Sequence, residues 1–483
     1  MSRKLLAFLL LVFLLTSFFQ SGRWSLAPMV VIASAIGLVL IHQLPAWRGY
    51  LLLVLATYAA LLAGWRGLAP FPMPIYPLFM LANALVGCLV FLLDRRLRYQ
   101  LGNGLASTLV YPLAATAIEF LLVGGGPLGS FGATAYAVVD SPALSQLIAL
   151  TGMWGLSFLL AWLASILAGA FMHARAGRPY GRGLVIGAAV TGLVIGGGSA
   201  RLHAATPPAD HLTVAGLTAA HTDMAELMGQ FGEERQTFVA QTRQRHATYL
   251  EMSREAAGRG ADVVLWTELA GLGVAEDVEQ LLADGHDLAA ELGVYLAMPV
   301  FVLSEEEGVK STNKLVLAGP DGTTLLEHVK YGGNLIEGTE PGLKEIQFVD
   351  TPFGRLSAVI CWDTDYPDVI RQAGQAKVDL LLSPAYIWPE AAELHVEMAS
   401  FRAIENGMTI VRHSDDGYSA VIDPYGRIVA REDFVGADRA VFLAEVPIGR
   451  IDTLYSALGD FVGQLSALGL ALVIGLALWR RVG

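Results

Sequence analysis

The stretch Arg355-Leu356-Ser357-Ala358-Val359-Ile360-Cys361-Trp362-Asp363 decides how the soluble part of this chain folds. Leu356–Ile360 is a short apolar run of strand character, and it stops at a thiol. Two other runs share this form. Asp262-Val263-Val264-Leu265-Trp266-Thr267, bounded by Gly260, stops at Glu268, and Thr323–Val329 stops at Lys330. Each polar residue is the first one past the carboxyl end of an apolar strand, where open α/β sheets place their ligands. A cysteine nucleophile needs a base for its proton and a cation for the developing oxyanion. Glu268, Lys330 and Cys361 supply these roles together. A lone cysteine after a strand is more often a passive core thiol, and a lone glutamate or lysine there is usually just solvated. The coincidence of all three is the signal.

Outward from these points, the chain from 211 to 450 alternates short apolar runs with longer amphipathic ones. Leu212–Leu217 predicts a strand, about 233–259 a helix, 276–292 a helix and Val294–Val302 a strand. Gly319-Pro320-Asp321-Gly322 is a turn sequence, so Leu315–Ala318 and Thr323–Val329 form a hairpin. A helix near 366–376, a strand at Val378–Ser383, a helix at 389–406 and strands at Met408–Arg412 and Ser419–Ile422 follow. Asp423-Pro424-Tyr425-Gly426 is another turn. The pattern predicts one α/β domain of about 250 residues, a normal domain size, with sheets packed as a sandwich and helices outside.

The flanks are of another kind. The 483 residues are 54% hydrophobic and 16% charged, against roughly 25% charged in soluble domains. That argues against an ordinary cytosolic enzyme. The glycines have no three-residue period and there are two cysteines, so collagen, disorder and a disulfide scaffold are excluded too. Residues 1–200 hold three acids (Asp94, Glu119, Asp140) and 11 bases, and 463–483 hold Arg480 and Arg481 and no acid. The middle, 201–462, holds 41 of the 44 acids and 19 of the 32 bases. The apolar parts are therefore net +10 and the middle −22. This is a multi-pass membrane protein carrying one large acidic soluble domain.

A helix needs about 20 apolar residues to cross a bilayer. Eight runs qualify: about 4–20, 26–44, 49–65, 72–93, 104–123, 146–172, 183–199 and 463–479. The first follows Arg3 and Lys4 as a signal peptide would. It ends Thr16-Ser17-Phe18-Phe19-Gln20-Ser21-Gly22 without a small-x-small cleavage site, so it is read as a retained helix. The division is a membrane domain at 1–200 with about seven helices, a catalytic domain at 201–452, and an exit segment with a last helix at 453–483. One set of span ends carries Arg3, Lys4, Arg48, Arg95, Arg96, Arg98, Arg175, Arg178, Arg182, Arg480 and Arg481; the other carries Arg23 and Arg66. That bias predicts both termini in the cytoplasm and 200–462 on the periplasmic or extracellular side of the plasma (inner) membrane. Trp24, Trp47 and Trp65 lie near span ends as interfacial anchors. The Gly-rich loop 124–145 faces the same side as the domain, and reads equally as a segment at the lipid surface and as a flexible connector.

Trp266-Thr267-Glu268, His328-Val329-Lys330 and Ile360-Cys361-Trp362-Asp363 with Tyr366-Pro367-Asp368 resemble the Glu–Lys–Cys signature of the nitrilase (carbon–nitrogen hydrolase) superfamily. Asn313, Thr351-Pro352-Phe353-Gly354, Arg402-Ala403-Ile404-Glu405-Asn406-Gly407 and Val421-Ile422-Asp423-Pro424-Tyr425-Gly426-Arg427 fall in the matching order. The resemblance implies an αββα sandwich. Spans before the domain and one after it, the helix Leu147–Ala168, and the exit Thr453-Leu454-Tyr455 with Gly459-Asp460 resemble the apolipoprotein N-acyltransferase branch. That branch implies Cys361 as nucleophile, Glu268 as general base and Lys330 as oxyanion support. A phospholipid would be the acyl donor and a lipoprotein amine the acceptor, through a thioester. It also implies a second glutamate, Glu337 with Glu340 as runner-up, an oxyanion donor in the Trp362 amide, and an aromatic arm containing Trp388. The family has Tyr and Glu where Trp362 and Asp363 stand, and a Leu-Val-Pro-Phe-Gly-Glu run where Tyr331–Gly338 stands, so the acceptor is the open point.

The same three residues fit a membrane-anchored amidase with water as acceptor, or a degenerate domain used as a binding platform. The eight-span frame favours the acyltransferase, and the intact Glu268, Lys330 and Cys361 disfavour the platform. No phosphate-binding or dinucleotide fingerprint sits on a strand-to-helix turn. His395 and His413 lack companions at metal-ligand spacing, so neither metal nor cofactor is expected. The acidic domain argues against nucleic acid. Cys88 lies in a span and reads as lipid or helix packing, unpaired with Cys361.

Overall fold

The computed structural model describes residues 2–20, 22, 24–206, 208, 210–219, 224–306 and 308–482. Ser21 and Arg23, used above for the first span and the charge bias, lie outside the described residues. The chain divides into two units. One takes the residues up to Gly126, Ser130–Ala204 and those from Leu458 onward; the other takes Pro127–Gly129 and Ala205–Ala457.

The first unit is helical, and a helix stands at each of the eight apolar runs. They are α1 (Arg3–Ser17), α2 (Ala27–Gln43), α3 (Ala46–Gly64), α4 (Ile75–Leu97), α5 (Val110–Gly125), α6 (Met153–Arg175), α7 (Gly181–His203) and, after the domain, Phe461–Val482. Among the described residues, six are long and apolar enough to cross a membrane; α1 and α2 are not. Their 15 and 17 residues reach only about 22 and 25 Å at 1.5 Å per residue, short of the ~30 Å hydrocarbon layer. The predicted run 146–172 is broken at Gly152, whose φ of 62° ends the short helix Ile148–Thr151 before α6 begins. Phe13, Leu38, Leu53, Cys88 and Phe91 pack in the centre of the bundle, so Cys88 belongs to helix packing and both cysteines are free.

Charge is also buried in this unit. Asp94 is fully buried and accepts from His42 Nε2 at 2.9 Å and Arg98 Nη1 at 3.1 Å. Arg98 also donates to the Ser165 hydroxyl and carbonyl, both at 3.1 Å. Unpaired charge in an apolar interior is costly, so this set ties α2, α4 and α6 at one level. Trp154 Nε1 donates to Asp460 at 2.6 Å, joining the start of α6 to the segment before the last helix.

The second unit is an αββα sandwich. Its strands are β1 (Asp210–Thr218), β2 (Val263–Trp266), β3 (Gly271–Val274), β4 (Tyr295–Leu303), β5 (Thr312–Ala318), β6 (Thr324–Val329), β7 (Phe348–Thr351), β8 (Gly354–Ala358), β9 (Leu380–Tyr386), β10 (Thr409–Asp415), β11 (Tyr418–Ile422), β12 (Ile428–Asp433) and β13 (Ala440–Ile448). One sheet runs β13-β1-β2-β4-β5-β6 with β3 beside β4; the other runs β12-β11-β10-β9-β8-β7. The centre of each is parallel, β1-β2-β4 and β8-β9-β10, with antiparallel neighbours outside.

Side-chain alternation makes the layers, because neighbours on a strand face opposite ways. Val214, Val263 and Leu265 face Leu356, Leu380, Leu382 and Val411 in the core between the sheets. Ala215, Leu217, Val264 and Trp266 face outward onto α8 (Arg235–Gly258) and α9 (Ala275–Leu292), through Tyr249, Met252, Leu281 and Ala289. On the other side Val359, Leu381 and Ile410 meet α10 (Pro367–Gln375) and α11 (Ala392–Asn406), through Ile370, Ala373, Val396 and Ala403. Part of the Gly-rich loop is packed rather than a free connector. Pro127–Gly129 belongs to this unit: the Pro127 carbonyl accepts from the Tyr366 hydroxyl at 2.6 Å, and a Cβ on Gly129 would lie 2.4 Å from the Asp365 carbonyl.

Candidate active site

Segments that follow β2 and β8 in the parallel centres, and β6 at the antiparallel edge of the first sheet, bring Glu268, Cys361 and Lys330 together. Glu268 lies two residues past β2 and is 3% exposed. Its Oε1 accepts from Lys330 Nζ at 2.6 Å and Asn313 Nδ2 at 2.8 Å, and its Oε2 accepts from the Tyr386 amide at 2.9 Å. The same residue serves the thiol, since Cys361 Sγ lies 3.6 Å from the Tyr386 carbonyl. Carboxylate and thiol therefore converge on the end of β9.

Lys330 directly follows β6 and is fully buried. Its amide donates to the Asn313 carbonyl at 2.9 Å, and its ammonium pairs with both Glu268 and Glu337. Burial alone would drive the lysine toward the neutral form. The charges of Glu268 and Glu337 outweigh this and hold it well above its ordinary value, so it stays cationic. Glu337, in the short helix Asn334–Glu337, is pushed up by burial and by the charge of Glu268, against the pull of Lys330. Glu340, the runner-up, has an exposed side chain, and its backbone pairs with Ser311.

Cys361 opens a one-turn segment, Cys361–Asp365, that leads into α10. Its φ of 47° is a left-handed conformation that a side chain rarely adopts. The turn holds it: Thr364 Oγ1 donates to its carbonyl at 2.9 Å and Arg412 Nη1 reaches that carbonyl at 3.5 Å. Burial pushes the thiol up and Glu268 adds to this, while Lys330 and Arg412 oppose it. The net direction is upward, which favours the protonated thiol.

Of the four supporting residues, Trp362 is buried and its ring lies 6.1 Å from that of Trp388, both about 6.3 Å from His395. Trp388 is half-buried, so the three rings form a wall beside the cysteine turn. Asp363 is fully buried and points away from the sulfur, into the loop after Lys330.

Sequence reasoning passed over the groups beneath the turn. Arg412, inside β10, is fully buried and donates to His395 Nδ1 at 3.3 Å. An arginine can only donate, so the imidazole is neutral with its proton on Nε2. Burial, then Arg412 and Lys330, keep this histidine well below its ordinary value. Burial lifts Asp365 well above its own, against Arg412 and Arg402. The available signal was an arginine in a buried strand, Thr409-Ile410-Val411-Arg412, which requires a partner.

An α/β sandwich with a buried thiol, ammonium and paired carboxylates at its strand ends holds the groups that nucleophilic catalysis at a carbonyl needs. Residues 232–454 match the carbon-nitrogen hydrolase family model. The chain therefore carries a carbon–nitrogen hydrolase domain over these residues. It is 26% identical over 413 residues to an apolipoprotein N-acyltransferase of Geobacter metallireducens, covering 78% of this chain and 76% of that protein. It is 25% identical over 227 residues to the omega-amidase NIT2 of Danio rerio, covering 40% of this chain and 79% of that one. Among solved structures, an amidase from Nesterenkonia sp. aligns at 19% identity with a TM-score of 0.40, over 54% of this chain and 97% of that chain.

Proposed function

We propose that this chain is a membrane N-acyltransferase that moves an acyl group from a phospholipid to the N-terminal cysteine amine of diacylglyceryl lipoproteins, through a thioester on Cys361. The observation that carries this reading is the single buried cluster in which Lys330 holds two carboxylates beside Cys361. The similarity to the N-acyltransferase, which extends over 78% of the chain and so beyond the domain, supports the lipid substrate.

The chemistry follows from the charge states. A neutral thiol must lose its proton as it attacks, so Glu268 takes it while sulfur bonds to the ester carbonyl carbon. The carbonyl oxygen gains charge, which Lys330 and the Trp362 amide stabilise. The carbon–oxygen bond then breaks, Glu268 returns the proton to the leaving oxygen, and lysophospholipid departs. In the second half an amine attacks the thioester, the carbon–sulfur bond breaks, and the amine's proton passes through Glu268 to the sulfur. Glu337 sets the net charge around Lys330. Trp362 and Trp388 line the approach and Asp363 supports it. The proposed layout has both termini in the cytoplasm and the domain, 201–452, outside the plasma (inner) membrane.

Intact-protein mass spectrometry after incubation with a defined phospholipid tests this, with Cys361→Ala alongside. The expected result is an acyl-sized, hydroxylamine-labile adduct, absent in the variant and discharged onto the amine of a diacylated lipopeptide. The similarity to an omega-amidase over the domain favours one second reading, hydrolysis of an amide with water as acceptor. No adduct from lipid, in folded protein that hydrolyses a soluble amide, replaces the first reading with the second.

A further inference from the structure

Asp363 is two residues from Cys361, yet its carboxylate faces the lysine side of the site. Oδ1 accepts from the amides of Tyr331 at 2.9 Å and Gly332 at 2.7 Å; Oδ2 accepts from the Ile360 amide at 2.9 Å and His328 Nε2 at 2.7 Å. A carboxylate has about four acceptor sites, and here each meets a donor. The four donors come from residues 328, 331, 332 and 360, which straddle Lys330 and abut Cys361. His328 and Asp363 are both buried, with 4% and 0% exposure.

The divergent loop after Lys330 is cut to fit this arrangement. A Cβ on Gly332 would lie 2.9 Å from the Trp362 carbonyl, and one on Gly333, at φ +81°, would lie 2.7 Å from the Trp362 ring. The Gly332-Gly333 pair and the Trp362-Asp363 pair are thus one interlocked surface, although they depart from the family pattern at separate places in the sequence.

We propose that Asp363 and His328 form a clamp that fixes Lys330 against Cys361, with His328 as a positioning residue that touches no substrate. The clamp rests on the functional reading above, because its purpose is to set the lysine that serves the thiol. Removing the imidazole leaves one carboxylate oxygen short of a donor in a buried site, and the strand end carrying Lys330 loses its anchor. Misplacement by about 1 Å is enough to cost roughly 100-fold in rate.

The test compares His328→Leu with His328→Gln in the full-length protein, reading phospholipid turnover, Cys361 alkylation by iodoacetamide at fixed pH, and the melting midpoint. The leucine variant should lose about 100-fold in kcat with little change in KM for phospholipid. Its alkylation should slow by about tenfold, because each pKa unit of lost thiol stabilisation is tenfold. Glutamine keeps an N–H donor for Asp363 and should recover both rates. Asp363→Asn, which turns one acceptor into a donor facing N–H groups, should match the leucine variant in turnover. Wild-type rates in His328→Leu overturn the clamp. So does a parallel fall of turnover and melting midpoint in both histidine variants, which marks a purely structural contact. If the wild-type protein takes no acyl group from phospholipid, the functional reading fails, and the alkylation comparison still decides the clamp.

Discussion

At the scale of single residues, the site is set by opposed electrostatic pulls on one sulfur. Burial and Glu268 raise the Cys361 thiol; Lys330 and Arg412 lower it. The signs separate thiol reactivity from catalysis. Glu268→Gln removes a raising charge and the base, so alkylation of Cys361 by iodoacetamide should speed up while acyl transfer falls about 10²–10⁴-fold, the usual worth of a general base. Lys330→Met removes a lowering charge and leaves Glu268 and Glu337 buried face to face, so alkylation should slow, transfer should be lost, and the melting midpoint should drop. Alkylation rates against pH, read beside single-turnover acylation, check both. Alkylation moving the same way in the two variants would overturn this account. The three residues were legible in sequence because each stands where an apolar strand stops. His328 and Arg412 were not, because they face inward within strands. His328 finds its partner 35 positions away in Asp363, which no local spacing reveals.

At the scale of elements, ends and edges separate what the pattern revealed from what it hid. The central strands β2, β4, β8, β9 and β10 lie at or near the runs that mark them, because strands buried on both faces read as continuous apolar stretches. The strands missed are β3, β7, β12 and β13. β7 and β12 are edge strands with exposed or charged faces, such as Ile428-Val429-Ala430-Arg431-Glu432-Asp433. β13 carries Pro447 one residue before its end, which weakens a strand pattern and is tolerated at a sheet edge. Glycines at helix ends give a paired test. α9 and α11 both end in left-handed glycines, Gly293 at φ 67° and Gly407 at φ 64°. A Cβ on Gly293 meets nothing within 4 Å, whereas one on Gly407 would lie 1.8 Å from the Ile451 carbonyl. Gly293→Ala should cost about 1 kcal/mol, the conformational term alone. Gly407→Ala should cost about 3 kcal/mol or more, a melting shift of roughly 6–12 °C for a domain of this size. Thermal unfolding followed by circular dichroism measures both. Equal shifts would mean that the Ile451 backbone yields freely and the close approach carries no constraint.

At the scale of the whole molecule, the charge pattern bears on which side of the membrane the domain faces. Eleven basic residues stand at one set of predicted span ends and two at the other, and such a bias marks the cytoplasmic side. The structure changes the weight of this count without reversing it. Arg98 is spent on Asp94 and Ser165 inside the bundle, so it is a packing residue as much as an orientation signal. α1 and α2 fall short of a full crossing, but they are consecutive. If neither spans, the count falls by two and the parity of every later helix is kept. The basic pair Arg480-Arg481 at the far end of the last helix is independent of that count. The domain should therefore lie outside whether six or eight helices cross. Single cysteines introduced in exposed turns test this, in a protein whose two native cysteines, Cys88 and Cys361, are replaced by alanine. An impermeant maleimide applied to cells with an intact inner membrane should label Asp438→Cys, in the domain. It should leave Ala176→Cys, between α6 and α7, unlabelled until the cells are lysed. Labelling in the reverse order would put the thiol chemistry on the cytoplasmic face, where diacylglyceryl lipoproteins exported across the membrane are out of reach, and would remove the acceptor on which the acyltransferase reading depends.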